Sequence, residues 1–146
     1  MKRFIRYLSF LLATVILLSF PVCATGEVDQ RSSDYFACYS AYLREKDSFN
    51  FEIVFSITAR RIMEELGAKR IRVQISSDGE NWATTQTYTR ETHPAFINYN
   101  NITHDYSFSY NGSRGFYYRA VITFHAKDAT GSAAYTIYTP VFQLGT

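Results

Sequence analysis

His93, His104 and His125 are the three imidazoles of this sequence, and Cys38 is a thiol that could act as a nucleophile. A zinc centre needs three or four converging ligands, commonly announced by a pair at i, i+4, and these histidines show no such spacing. His93 precedes Pro94 in a loop, and His125 is expected to face solvent beside Lys127. His104 opens a strand after a turn at Tyr99-Asn100, where an imidazole is expected to bond a loop carbonyl. Glycoside hydrolysis needs two carboxyl groups facing each other across a cleft. Glu64 and Glu65 are adjacent, so on a helix they diverge, and Glu65 is expected to balance Arg61 or Lys69 on an exposed turn. Asp78 and Glu80 fall in a tight hairpin that accounts for both. A serine-hydrolase elbow of the form Gly-X-Ser-X-Gly is missing, as are glycine-rich phosphate loops and paired Cys-X-X-Cys motifs. The expectation is a protein with no catalytic residues, no metal and no cofactor, a small secreted hydrolase being the alternative from the enzyme class.

Two surfaces could bind instead of react. Flat aromatic rings stack on the CH faces of sugars while amides bond the hydroxyls. Trp82, Tyr88, Tyr99, Asn100 and His104 form the candidate ligand-binding set, with Tyr117, Tyr138, Asn98 and Asn101 as further contributors. Against this stands the ordinary use of Tyr and Trp as cross-strand pairing residues. The second surface is basic: Arg60, Arg61, Lys69, Arg70 and Arg72 could meet an anionic wall polymer or an acidic partner. Charges on strands also guard against edge pairing. Ser76-Ser77-Asp78-Gly79-Glu80-Asn81-Trp82 is one residue short of the Asp-box hairpin of sialidases and reads as a turn.

These residues sit on strands. Phe49, Phe51, Ile53, Phe55, Ile57 and Ala59 alternate with mostly polar neighbours, which predicts one buried and one wet face. Ile71, Val73 and Ile75 repeat the pattern, as do Tyr106, Phe108 and Tyr110, and the run from Phe116 through Tyr118, Ala120, Ile122 and Phe124 to Ala126. Weaker strands are expected over 35–43, 82–89 and 134–142. Turn residues at 77–81, 111–113 and 127–132 separate them, and 60–66, closed by Gly67, reads as a short loop helix. The fold expected is all-β: a seven-stranded antiparallel β-sandwich of immunoglobulin or fibronectin type III kind with that one short helix. Its core should hold Phe51, Ile53, Phe55, Ile57, Ile71, Val73, Ile75, Phe108, Tyr118, Ala120, Ile122 and Phe124.

Length sets the frame: 146 residues, 47% of them hydrophobic and 19% charged, suit one domain with a real core and exclude a disordered chain. Lys2, Arg3 and Arg6 precede an apolar run over 7–20 and then Pro21-Val22-Cys23-Ala24, the pattern of a secretory signal peptide cut after Ala24. The run is shorter than the roughly 20 residues a membrane span needs, so an uncleaved anchor is the lesser reading. The expected organisation is a signal over 1–24, a flexible leader over 25–33 and a single domain over 34–146, secreted or displayed at the cell surface. Cleavage leaves 12 basic against 13 acidic residues, a net charge of −1, which argues against nucleic acid as a partner. It also removes Cys23, leaving Cys38 as a lone cysteine inside an aromatic strand, expected to be a buried, inert thiol.

Ser33-Asp34-Tyr35-Phe36, Ala41-Tyr42-Leu43, Ile62 to Ala68, Asp78-Gly79-Glu80-Asn81-Trp82, Tyr99-Asn100, His104, Tyr117-Tyr118-Arg119-Ala120 and Ala126-Lys127-Asp128 together resemble a family of small secreted proteins of Gram-positive anaerobic bacteria. The likeness spans residues 33 to about 139. It implies secretion and a β-sandwich, and it carries over no catalytic residue, since the family has no assigned activity. Members read Gly-Tyr-Asn where this chain has Asn98-Tyr99-Asn100. A bacterial source makes the Asn-X-Ser/Thr sequons at Asn101 and Asn111 irrelevant as glycan acceptors. The function expected is a non-enzymatic extracellular interaction module acting as a monomer. Its partner would be an extracellular protein or a cell-wall glycan, and carbohydrate binding is the sharper alternative.

Overall fold

The computed structural model describes residues 34–146, so the signal, the cleavage site and the leader lie outside the described residues. The chain runs through β1 (Phe36–Asp47), β2 (Asn50–Ser76), β3 (Ala83–Thr89), a 3₁₀ turn (Pro94–Phe96), β4 (Ile97–Asn111), β5 (Tyr117–Asp128), β6 (Gly131–Tyr138) and β7 (Phe142–Gln143). All pairings are antiparallel. The seven strands belong to one sheet curled into a half-barrel, where two separate stacked sheets were the expectation.

The cause is β2. Its 27 residues would reach about 90 Å if straight, far more than a domain of this size spans, so the strand must bend. Opposite β4, Thr58 pairs with Thr103 but Met63 pairs with Asn101, so extra β2 residues are extruded at the bend. Arg60, Arg61 and Ile62 are exposed there. Before the bend, β2 lies between β1 and β4; after it, β2 lies between β5 on one side and β4, then β3, on the other. One strand thus serves both walls of the half-barrel.

The alternating residues fill the space between those walls. Phe51, Ile53, Phe55, Ile57 and Ala59 meet Tyr118, Ala120, Ile122, Phe124 and Ala126, all buried. Phe51 lies 4.9 Å from Tyr118 and Phe55 5.8 Å from Phe124, ring centre to ring centre. Of the expected core, Ile75 and Phe108 are only partly buried, and Phe49 and Phe116, expected to point inward, are exposed because they fall in the turns that enter β2 and β5. Phe36, Met63, Leu66, Phe96 and Leu144 complete the core.

The helix expected over 60–66 is not there: the segment is strand throughout. Arg, Met, Glu and Leu favour helix locally. Pairing of 63–67 with β4 and of 65–68 with β5 hydrogen-bonds both edges of the segment, and Met63, Leu66 and Ala68 are buried by it. Gly67, expected as a helix stop, instead leaves room for the Phe96 carbonyl against the strand: a Cβ on Gly67 would lie 1.9 Å from that oxygen.

Each hairpin is closed by an aspartate. Asp47 accepts the N–H groups of Phe49 and Asn50, Asp78 those of Glu80 and Asn81, and Asp128 those of Thr130 and Gly131. Residues 112–116 make a different connection, carrying the chain from β4 to β5, which pair with β2 and not with each other.

Candidate functional site

The outer face of the wall built from β3, the second half of β2, β5 and β6 gathers most of the chemistry. Ile71 and Val73 point into the core, so Arg70, Arg72 and Gln74 point outward; Tyr118, Ala120 and Ile122 do the same for Arg119, Val121 and Thr123. Register sets Gln74 opposite Arg119, Arg72 opposite Val121 and Arg70 opposite Thr123, with Tyr138 across from Val121 on β6. Val121 is 1% exposed although it faces outward, so its long neighbours cover it.

Arg119 is held at three points. Its Nε donates to Gln74 Oε1 at 2.7 Å, and its guanidinium lies 4.3 Å from the Trp82 ring centre and 5.0 Å from that of Tyr138. Such stacking suits the flat guanidinium. Trp82 reaches this place because the Asp78 turn reverses the chain just before it. Ser76 Oγ donates to Asp78 Oδ1, and the bonds from Asn81, Glu80 and Ser76 hold the Asp78 carboxyl well below the usual carboxylate range. That network satisfies the aspartate internally, as a turn requires. Among the described residues Arg70, Arg72 and Arg119 have no carboxylate partner.

Below them on the same face the cations are paired. Glu65 accepts from Arg90 Nη1 at 2.7 Å and Nη2 at 3.1 Å, a two-pronged bond, and lies 2.9 Å from His125 Nε2. The Arg90 bonds, then the His125 bond, hold the Glu65 carboxyl down to about 2. Two expectations are corrected here. His125 does not face solvent, its side chain being 12% exposed, and Glu65 balances neither Arg61 nor Lys69. The register that places Gly67 beside His125 and Glu65 beside Lys127 brings them together. An imidazole beside a carboxylate is half of a nucleophile-activating set, but among the described residues no hydroxyl or thiol is hydrogen-bonded to His125.

The other sequence-predicted residues scatter. Tyr88 packs inward, 5.1 Å from Phe108 and 4.9 Å from His93, and burial pushes its phenol up. Tyr99 is 57% exposed beside Asn100, whose φ of 51° is left-handed. His104 bonds the Ala95 carbonyl at 3.0 Å, as expected of it, and burial lowers its basicity. The aromatic set is therefore not one platform: Trp82 belongs to the outer wall, Tyr88 to the core, and Tyr99, Asn100 and His104 to β4.

The basic patch also divides. Arg61 turns at the bend to Asp128, with Nε at 2.7 Å from Oδ2, and lies over the Tyr35 ring at 5.0 Å. The Thr130 hydroxyl, then its N–H and Arg61, hold Asp128 at about 2. Arg60 sits exposed at the same bend, Lys69 falls exposed at the register shift between Ala68 and Arg70, and Arg70 and Arg72 join Arg119. Sequence reading put neither Arg119 nor Arg90 in a candidate site: alternation past Tyr118 turns Arg119 outward, but its partners Gln74, Trp82 and Tyr138 are distant in sequence, as Glu65 is from Arg90.

Cys38 is half-buried and disulfide-bonded, where a buried free thiol was expected. The other cysteine of the sequence, Cys23, lies outside the described residues, and a bond within the chain needs a mature protein that keeps it. Among the described residues no cluster of His, Cys, Asp and Glu could hold a metal, and no helix is long and apolar enough to cross a membrane. Comparison with known proteins finds no matching family model, curated protein or solved structure.

Proposed function

We propose that the chain is an exported, non-enzymatic binding module that acts as a monomer through the outer wall of β3, β2, β5 and β6. The observation that supports this is the grouping of Arg70, Arg72 and Arg119 on one face with no carboxylate among the described residues to neutralise them. Three of the acids are occupied: Glu65 by Arg90 and His125, Asp128 by Arg61 and Thr130, Asp78 by its own turn. The amino-terminal pattern of Lys2, Arg3, Arg6 and the apolar run over 7–20 supports export. Two walls facing each other across one aromatic core support a sandwich-like reading of the half-barrel, with immunoglobulin-like kinship as its finer form.

The test is amide chemical-shift mapping of the purified chain on titration with cell-envelope polysaccharide, with reducing-end release followed in parallel. Shifts confined to residues 70–74, 82–87, 119–123 and 136–138, without release of ends, are expected. Shifts centred on β1 and β4, or steady release of reducing ends, would overturn the reading.

A further inference from the structure

We infer that the ligand of the outer wall is a linear anionic glycan, a saccharide chain bearing carboxylate or phosphodiester groups; this rests on the binding-module reading above. Arg119 carries the argument. Stacked between Trp82 and Tyr138 and fixed through Nε to Gln74, it has both terminal nitrogens without a partner among the described residues. A guanidinium already immobilised in this way presents a planar fork that matches carboxylate or phosphate oxygens, and it has little freedom left to lose on binding. Arg70 and Arg72 stand two residues apart on one face of one strand, and Arg119 lies across from Gln74, two residues further along. Alternate positions on a strand repeat at about 6.8 Å, so the three cations, two on β2 and one on β5, span about 14 Å along the strand direction. A polymer with regularly recurring charge meets such a row at several points, whereas a single small anion would use one.

The aromatic part of the face points the same way. The Trp82 ring lies against Arg119, which makes it a support for the guanidinium and a poor platform for a neutral sugar. Tyr138 is 59% exposed and contacts Arg119 with one face, leaving ring surface for a sugar at the end of the cationic row. Charge selects the ligand in this arrangement and the tyrosine adds the saccharide contact.

The full exported chain is titrated by calorimetry with polygalacturonate, poly(glycerol phosphate), dextran and single-stranded DNA at two salt concentrations. Binding to one of the two charged polymers is expected, polygalacturonate marking carboxylate and poly(glycerol phosphate) marking phosphodiester as the source of charge. It should weaken as salt rises. Arg70→Gln and Arg72→Gln should each weaken it about tenfold, the loss of one charge-assisted contact. Arg119→Lys keeps the charge but loses the fork and should cost about as much. Unchanged melting curves of the Arg70 and Arg72 variants would show that folding is intact. Equal binding of dextran, unaffected by Arg72→Gln, would overturn this inference and leave the binding module standing. So would envelope polysaccharide mapping to the outer wall with neither charged polymer bound, or tighter binding of the DNA than of both. Binding of a charged polymer mapped to β1 and β4 would overturn both readings.

Discussion

Glu65, Arg90 and His125 share the outer wall with Arg70, Arg72 and Arg119, on the same or adjoining segments, yet the two groups use their cations in opposite ways. In the first, a carboxylate lies within hydrogen-bond reach and the charges close on each other, leaving the Arg90 side chain 25% and the Glu65 side chain 19% exposed. In the second, the cross-strand neighbours on β2, β3 and β5 are Gln74, Thr87, Thr89, Thr123 and the buried Val121, none of which can neutralise an arginine. The difference teaches that arginine on this wall is not of one kind. Where an acid is opposite, its charge holds strands together; where hydroxyls and rings are opposite, its charge meets no carboxylate among the described residues.

The comparison can be broken most completely at Gly67, which stands opposite His125 beneath the Phe96 carbonyl. Gly67→Ala must displace that carbonyl and should cost about 3 kcal/mol, adding overpacking to backbone strain at positive φ. Urea denaturation would register it as a lower midpoint with an unchanged slope. Because Gly67 pairs with Ile97 of β4 and with His125 of β5, the Glu65 pairing and the open arginines should both be perturbed in amide spectra.

Arg90→Ala removes one side of the comparison alone. It leaves Glu65 with His125 as its remaining partner and should destabilise by about 1 to 2 kcal/mol near neutral pH, less than a fully buried pair would cost because both groups keep some contact with water. NMR titration of the Glu65 carboxyl should show its pKa climbing from about 2 toward the ordinary 4.5.

Acid provides the same test without mutation. The folded-state pKa of Glu65 lies below its unfolded value, so its contribution is fully present above about 4.5 and is lost as pH falls through about 2. Asp128, also held at about 2, adds to the loss in the range below 4. Thermal melts of the wild-type protein should therefore fall steadily from pH 5 to pH 2. In Arg90→Ala the fall should be shallower, and an identical slope would show that the Glu65 pairing contributes nothing.

The smallest effect is expected on the open side. Arg70→Gln and Arg72→Gln break no ion pair among the described residues and should change stability by less than about 0.5 kcal/mol. A loss above about 1 kcal/mol in either variant would mean that these arginines also serve the fold, and the contrast with Arg90 would disappear.

The periodic residues by themselves determined most of the strand content and the inward face. Phe51, Ile53, Phe55 and Ile57, or Tyr118, Ala120, Ile122 and Phe124, fix which side of a strand is buried through contacts two residues apart, so no distant information is needed. The aspartates of the hairpins are equally local, each acting on N–H groups two or three residues on. Tertiary structure alone decided that 60–68 would be strand, because its helix-favouring side chains lose to pairing on both edges and to the burial of Met63 and Leu66. It also decided which cations would be neutralised. Gln74 meets Arg119 across 45 residues and Glu65 meets His125 across 60, and only the register of β2 against β5 fixes such encounters. Alternation tells an arginine which way to point; the strand beside it determines whether an acid is waiting there.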